Sequence, residues 1–99
     1  MVIGWFDASK AKQFGKRLAE TFSEGYPVLD KKTEKASMNK RAKALTKLVL
    51  DVRQFAQQDK PNFYAKAKLG NAFKWTLLEK GYDLEFVDDV TKEVILALK

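Results

Sequence analysis

Apolar residues recur at steps of three and four along most of the chain. Near the N-terminus they fall at Ala11, Phe14, Gly15, Leu18, Ala19 and Phe22, the stripe of a helix that turns one face to a core. Asp7 or Ser9 can accept from the free N–H groups of a first turn. Gly25 can take the left-handed conformation that closes a helix, and Pro27 blocks continuation. The pattern predicts a helix over about 8–24.

A second stripe, Met38, Ala42, Leu45, Val49, Val52 and Ala56, alternates steps of four and three, with Leu48 and Phe55 widening it on one side. The helix it predicts starts between Asp30 and Ser37 and spans about 34–58. The seam is coiled-coil-like but shorter than three heptads, so a core-facing helix in a monomer is the simpler expectation. After Pro61 and Asn62, the latter able to cap, Phe63, Ala67, Gly70, Phe73, Leu77 and Leu78 share a face; Tyr64 and Trp75 extend it on one flank and Leu69 on the other. This third helix, about 62–80, should close at Gly81. Asp83 then caps a fourth over 84–98, with Leu84, Val87, Thr91, Val94 and Leu98 in register and Glu85, Asp88 and Asp89 near its positive end. No stretch alternates apolar and polar residues between hairpin turns, so no sheet is expected. The predicted fold class is all-α, a compact four-helix domain over residues 1–99. The endings Glu24-Gly25-Tyr26-Pro27 and Lys80-Gly81-Tyr82-Asp83 look alike, but shared helix-stop chemistry explains them without a repeat.

Composition narrows the chemistry. Hydrophobic residues make up 45% of the chain and include seven Phe, three Tyr and two Trp, enough for a packed core. There is no cysteine, so disulfides, thiolate metal sites and cysteine nucleophiles are excluded. There is no histidine, which removes the commonest general base and metal ligand. Phosphate-binding glycine loops, nucleophile elbows and calcium-loop spacings are missing as well. Asp88 and Asp89 are adjacent, so a helix points them about 100° apart and they form no acid/base pair. A non-enzymatic protein without cofactor or small-molecule substrate is expected. The apolar start, Met1 to Phe6, has no basic flank or cleavage pattern of a secretory signal. No run approaches the roughly 20 apolar residues of a membrane span. A soluble, cytoplasmic protein is the expectation.

Charge is the most uneven feature. Residues 1–30 are neutral overall, 31–60 carry +6, 61–82 carry +3 and 83–99 carry −3. Lys40, Lys43 and Lys47 should form a ridge on the second helix opposite its Met38-to-Ala56 seam. Lys31, Lys32 and Lys35 lie near the start of that helix, where positive charge opposes the macrodipole. These six lysines are a candidate face for an anionic partner; the plainer alternative is a solvated helix face.

A second patch lies on the third helix. Glycine inside a helix costs roughly 1 kcal/mol relative to alanine, so Gly70 should mark a close helix crossing, and Gly70→Leu should overpack it by roughly 1–3 kcal/mol. Lys74 shares the apolar face and must snorkel out, serve a ligand or meet a carboxylate such as those of the fourth helix. Tyr64, Asn71, Lys74 and Trp75 are a candidate partner groove. A helix-crossing glycine beside a rim lysine would explain the same residues without a site.

The function these features favour is a small helical interaction module with a protein partner. The alternative is nonspecific nucleic-acid binding through the basic face of the second helix. A membrane-surface role, with Trp5 and Phe6 inserted and Lys10, Lys12, Lys16 and Arg17 near headgroups, ranks third, because Phe14, Leu18 and Phe22 are needed for the core.

Overall fold

The computed structural model describes residues 2–27 and 34–99, with side chains over 8–27 and 39–99. Helices α1 (Val2–Gly25), α2 (Glu34–Asp59), α3 (Phe63–Glu79) and α4 (Leu84–Leu98) make up nearly all of it, and no strand occurs among the described residues. The chain is an all-α, four-helix domain.

Most helix ends follow the local chemistry. Asn62 accepts from the Ala65 N–H at 2.8 Å to start α3, and Asp83 accepts from the Glu85 and Phe86 N–H groups to start α4. Gly81, at φ +100°, closes α3. Its N–H donates to the Leu78 carbonyl at 3.0 Å and the Tyr82 N–H to the Leu77 carbonyl at 3.3 Å, the paired bonds of a Schellman stop.

Two ends of α1 differ from the expectation. Neither Asp7 nor Ser9 caps it; the helix starts at Val2, since no glycine–proline break intervenes and an interior Asp or Ser costs only about 0.5 kcal/mol each. Gly25 is helical rather than left-handed. The Tyr26 N–H still donates to the Phe22 carbonyl at 2.8 Å, and the helix stops because Pro27 has no N–H and drives the residue before it out of the α region.

Successive contacts run Gly15 to Leu69 and Ala72, then Phe22 to Phe73, so α1 and α3 lie parallel. They form the most extensive interface; α4 packs on α3, and α2 closes the ring against α4 and α1. The α1–α3 approach is set by Gly15, flanked by the fully buried Ala11 and Ala19. A Cβ on Gly15 would lie far inside van der Waals distance of the Leu69 carbonyl oxygen and 3.2 Å from the Ala72 Cβ. Gly70 is buried too and faces α4, where an added Cβ would meet the Ile95 Cδ1 at 2.7 Å. That neighbour is the tip of a partly exposed side chain able to swing aside. The close approach expected at Gly70 exists, but the crossing that tolerates no side chain is at Gly15.

Phe73, Leu69, Leu77, Val52, Val87, Val90 and Val94 fill the interior. At the end near Gly25 the rings of Phe22, Tyr26, Phe73, Tyr82 and Phe86 cluster, so the two similar Gly-Tyr endings meet. The buried Tyr82 hydroxyl donates to the Tyr26 carbonyl. Burial, with a smaller contribution from Tyr26, pushes Tyr82 up from 10.0 to about 12. The unfolded chain therefore loses this proton first as the pH rises. Stability from this group is complete below pH ~10 and should fall by about 1–2 kcal/mol as the pH climbs toward 12. Chemical denaturation at stepped pH should show that decline in the native chain, and Tyr82→Phe should flatten it.

Candidate interaction surfaces

The core-facing side of α2 is turned by roughly 85°, at ~100° per residue, from the expected seam. Ala44, Leu48, Val52 and Phe55 are buried, while Leu45, Val49 and Ala56 are half-buried and Ala42 is exposed. Phe55 is drawn inward by Phe14, whose ring stacks on it at 4.2 Å between centroids. Arg41 tilts the same way, its guanidinium 4.8 Å above the Phe86 ring.

This rotation moves the lysine ridge. Lys40, Lys43 and Lys47 are exposed on one side of α2 as expected, but they do not stand opposite the core. Lys43 and Lys47 wall a groove between α1 and α2 whose floor is Leu18, Phe22, Ala44 and Leu48. Lys31 and Lys32 lie outside the described residues, and Lys35 is described only as part of the α2 backbone.

The groove exists because α1 and α2 are the least closely packed of the neighbouring pairs. Small residues face each other at its upper end, where even an added Cβ on Gly25 would stand 3.6 Å from the Ala44 Cβ. Its volume is about 170 Å³, comparable to the ~150 Å³ apolar cavity that takes up benzene. That is the size class of one large apolar side chain. A second apolar depression, with Ala42, Thr46 and Leu50, lies on the other side of the same lysines, and Leu50 is 60% exposed. Lysine stems thus separate two apolar hollows while their ammonium groups reach solvent. Asp51 borders both hollows and, among the described residues, carries the only negative charge in their lining.

The α3 candidates do not assemble as one groove. Tyr64, Asn71 and Trp75 lie exposed along the outer face. Lys74 lies on the side toward α4, half-buried, with its Nζ 3.3 Å from Asp88 Oδ1. The carboxylate expected from the fourth helix is therefore found, and it takes Lys74 away from the aromatic row. Tyr64 instead pairs with Lys68, whose Nζ is 5.5 Å from the ring centroid, beside Ala8, Ser9 and Lys12 of α1.

Sequence periodicity assigned Leu18, Phe22 and Leu48 to the core, where each is 3% exposed, and gave no sign that they also form the floor of a narrow hollow. Among the described residues no group of three or more His, Cys, Asp or Glu could hold a metal ion, and no helix is long and apolar enough to cross a membrane. Comparison with protein-family models, curated proteins and solved structures finds no match.

Proposed function

We propose that the chain is a non-enzymatic interaction module that receives an acidic amphipathic helix of a partner protein in the α1–α2 groove. The observation that carries this is the juxtaposition of a wholly apolar floor, Leu18, Phe22, Ala44 and Leu48, with a wall of exposed lysines. An amphipathic helix presents the complement: one bulky apolar anchor for the hollow and carboxylates one turn away for Lys43 and Lys47. Leu50 and Ala42 extend the contact beyond the lysines. Asp51 repels a partner carboxylate at the lower end and so fixes which way the helix lies. A phosphate backbone would use the lysines but leave the apolar floor without a partner, which favours protein over nucleic acid. A cytoplasmic setting is part of this proposal, and the lack of cysteine suits such a reducing compartment.

The test is titration of the native chain with a labelled helical peptide carrying Leu or Phe anchors and Glu on the adjoining face, beside a generic DNA duplex. The peptide should bind saturably and the duplex weakly. The double variant Lys43→Glu, Lys47→Glu should keep its fold, since exposed substitutions typically change stability by less than about 0.5 kcal/mol each. It should bind the peptide about 10- to 100-fold more weakly. Tight duplex binding at about 50 mM salt with a steep salt slope, and none to the peptide, would overturn the protein-partner proposal in favour of nucleic acid.

A further inference from the structure

A separate cleft opens at the end of the bundle where α2 and α4 stop and α3 begins. Arg53, Lys60, Lys66 and Lys99 border it, with Pro61 and Leu96 on its apolar side. Among the described residues, no carboxylate side chain lines it. None of the four cations has an ion-pair partner within 4 Å among the described residues, whereas Lys10 and Lys74 are paired. Asp59, the acid in the last turn of α2, is held by Lys10 at 2.6 Å.

Helix dipoles account for only part of this concentration of charge. Lys60 and Lys99 stand just past the C-terminal ends of α2 and α4, where a cation is favoured. Arg53 lies well before the end of α2, and Lys66 is in the first turn of α3, where a cation is disfavoured and no acidic residue offsets it. Crowding these groups around one concavity raises the local potential, and an anion bound there would relieve it.

We propose that this cleft binds a polyphosphate chain, of the pyrophosphate or triphosphate class. Four cations match the charge of such a chain better than that of a single phosphate. The Arg53 guanidinium can offer two parallel N–H donors to one phosphoryl group, and the lysines act as point charges on the others. The cleft volume, about 510 Å³, is within the range of small-molecule sites. It leaves room for an organic body against Leu96 and Pro61, so the chain could be free or carried on a nucleoside.

Calorimetric titration of the native chain at about 150 mM salt tests the site with orthophosphate, tripolyphosphate and ATP. Tripolyphosphate should bind saturably and at least tenfold more tightly than orthophosphate. ATP binding more tightly than tripolyphosphate would assign the site to a nucleotide, and equal binding would assign it to the phosphate chain alone; both support the proposal. Arg53→Gln combined with Lys66→Gln should weaken tripolyphosphate at least tenfold, with the helical spectrum and peptide binding at the α1–α2 groove unchanged. Lys43→Glu with Lys47→Glu should leave tripolyphosphate binding intact. Three results would overturn the proposal: no saturable tripolyphosphate binding, binding undiminished in the Arg53→Gln, Lys66→Gln variant, or equal losses from both double variants. The last would mark diffuse attraction to a basic protein rather than a site.

Discussion

Gly15→Leu is expected to destabilise the domain by about 3 kcal/mol, at the upper end of overpacking costs, despite leucine's better helix propensity. The reason is what the new side chain would meet. At Gly15 an added Cβ runs into the backbone carbonyl of Leu69, with the Ala72 Cβ alongside. A carbonyl inside a helix cannot turn aside without breaking its own hydrogen bond, so α1 and α3 must move apart. That displacement opens the largest interface in the molecule. For a domain of this size the loss corresponds to a fall in Tm of roughly 12–24 °C. Gly70→Leu provides the contrast. The atom in its path is the Ile95 Cδ1, on a side chain 37% exposed, and rotation of that side chain relieves the clash. Calorimetric melting of the two variants should rank Gly15→Leu well below Gly70→Leu. Equal melting temperatures would show that the α1–α3 approach does not depend on the missing side chain.

Phe22→Ala should cost about 3–5 kcal/mol, the range for removing a buried phenylalanine. Phe22 is 3% exposed and is the hub of the aromatic cluster. Its ring lies 6.0 Å from Tyr26, 6.1 Å from Phe86, 6.3 Å from Phe73 and 6.4 Å from Tyr82, in tilted or edge-on arrangements. One truncation therefore loosens α1 from both α3 and α4 and removes part of the groove floor. At about 4–8 °C per kcal/mol, the melting temperature should fall by more than 12 °C. Phe22→Leu, which keeps most of the volume, should lose less than half as much. A loss below about 1 kcal/mol for Phe22→Ala would mean that the cluster is not part of the cooperative core.

What was legible in the sequence had a local cause. Asn62, Asp83 and Gly81 act within four residues of themselves, so their helix-end roles could be read directly. The stripe in α1 shows its core face for the same reason, since period and burial are properties of one helix. Gly15 and Gly70 could not be ranked, because their difference lies in what another helix puts opposite them: a carbonyl in one case, a side-chain tip in the other. Gly25 stays helical because Pro27 alone suffices to stop α1. The core face of α2 is turned from its apolar seam because Phe14 draws Phe55 inward, a contact between residues far apart in the chain. The lysine ridge was visible, yet its place beside an apolar groove depended on that rotation and on the gap at Gly25 and Ala44. Arg53, Lys60, Lys66 and Lys99 are scattered over the second half of the chain and become a cluster only when three helix ends meet.

The central claim, that the α1–α2 groove takes an acidic amphipathic helix, is tested most directly by mapping amide chemical shifts. The isotope-labelled native chain would be titrated with the acidic helical peptide. Saturable shifts should concentrate at Leu18, Phe22 and Gly25 on α1 and at Ala44, Lys47 and Leu48 on α2, with α3 little affected. Shifts centred on Tyr64, Asn71 and Trp75, or no saturable shifts in the groove at all, would contradict it.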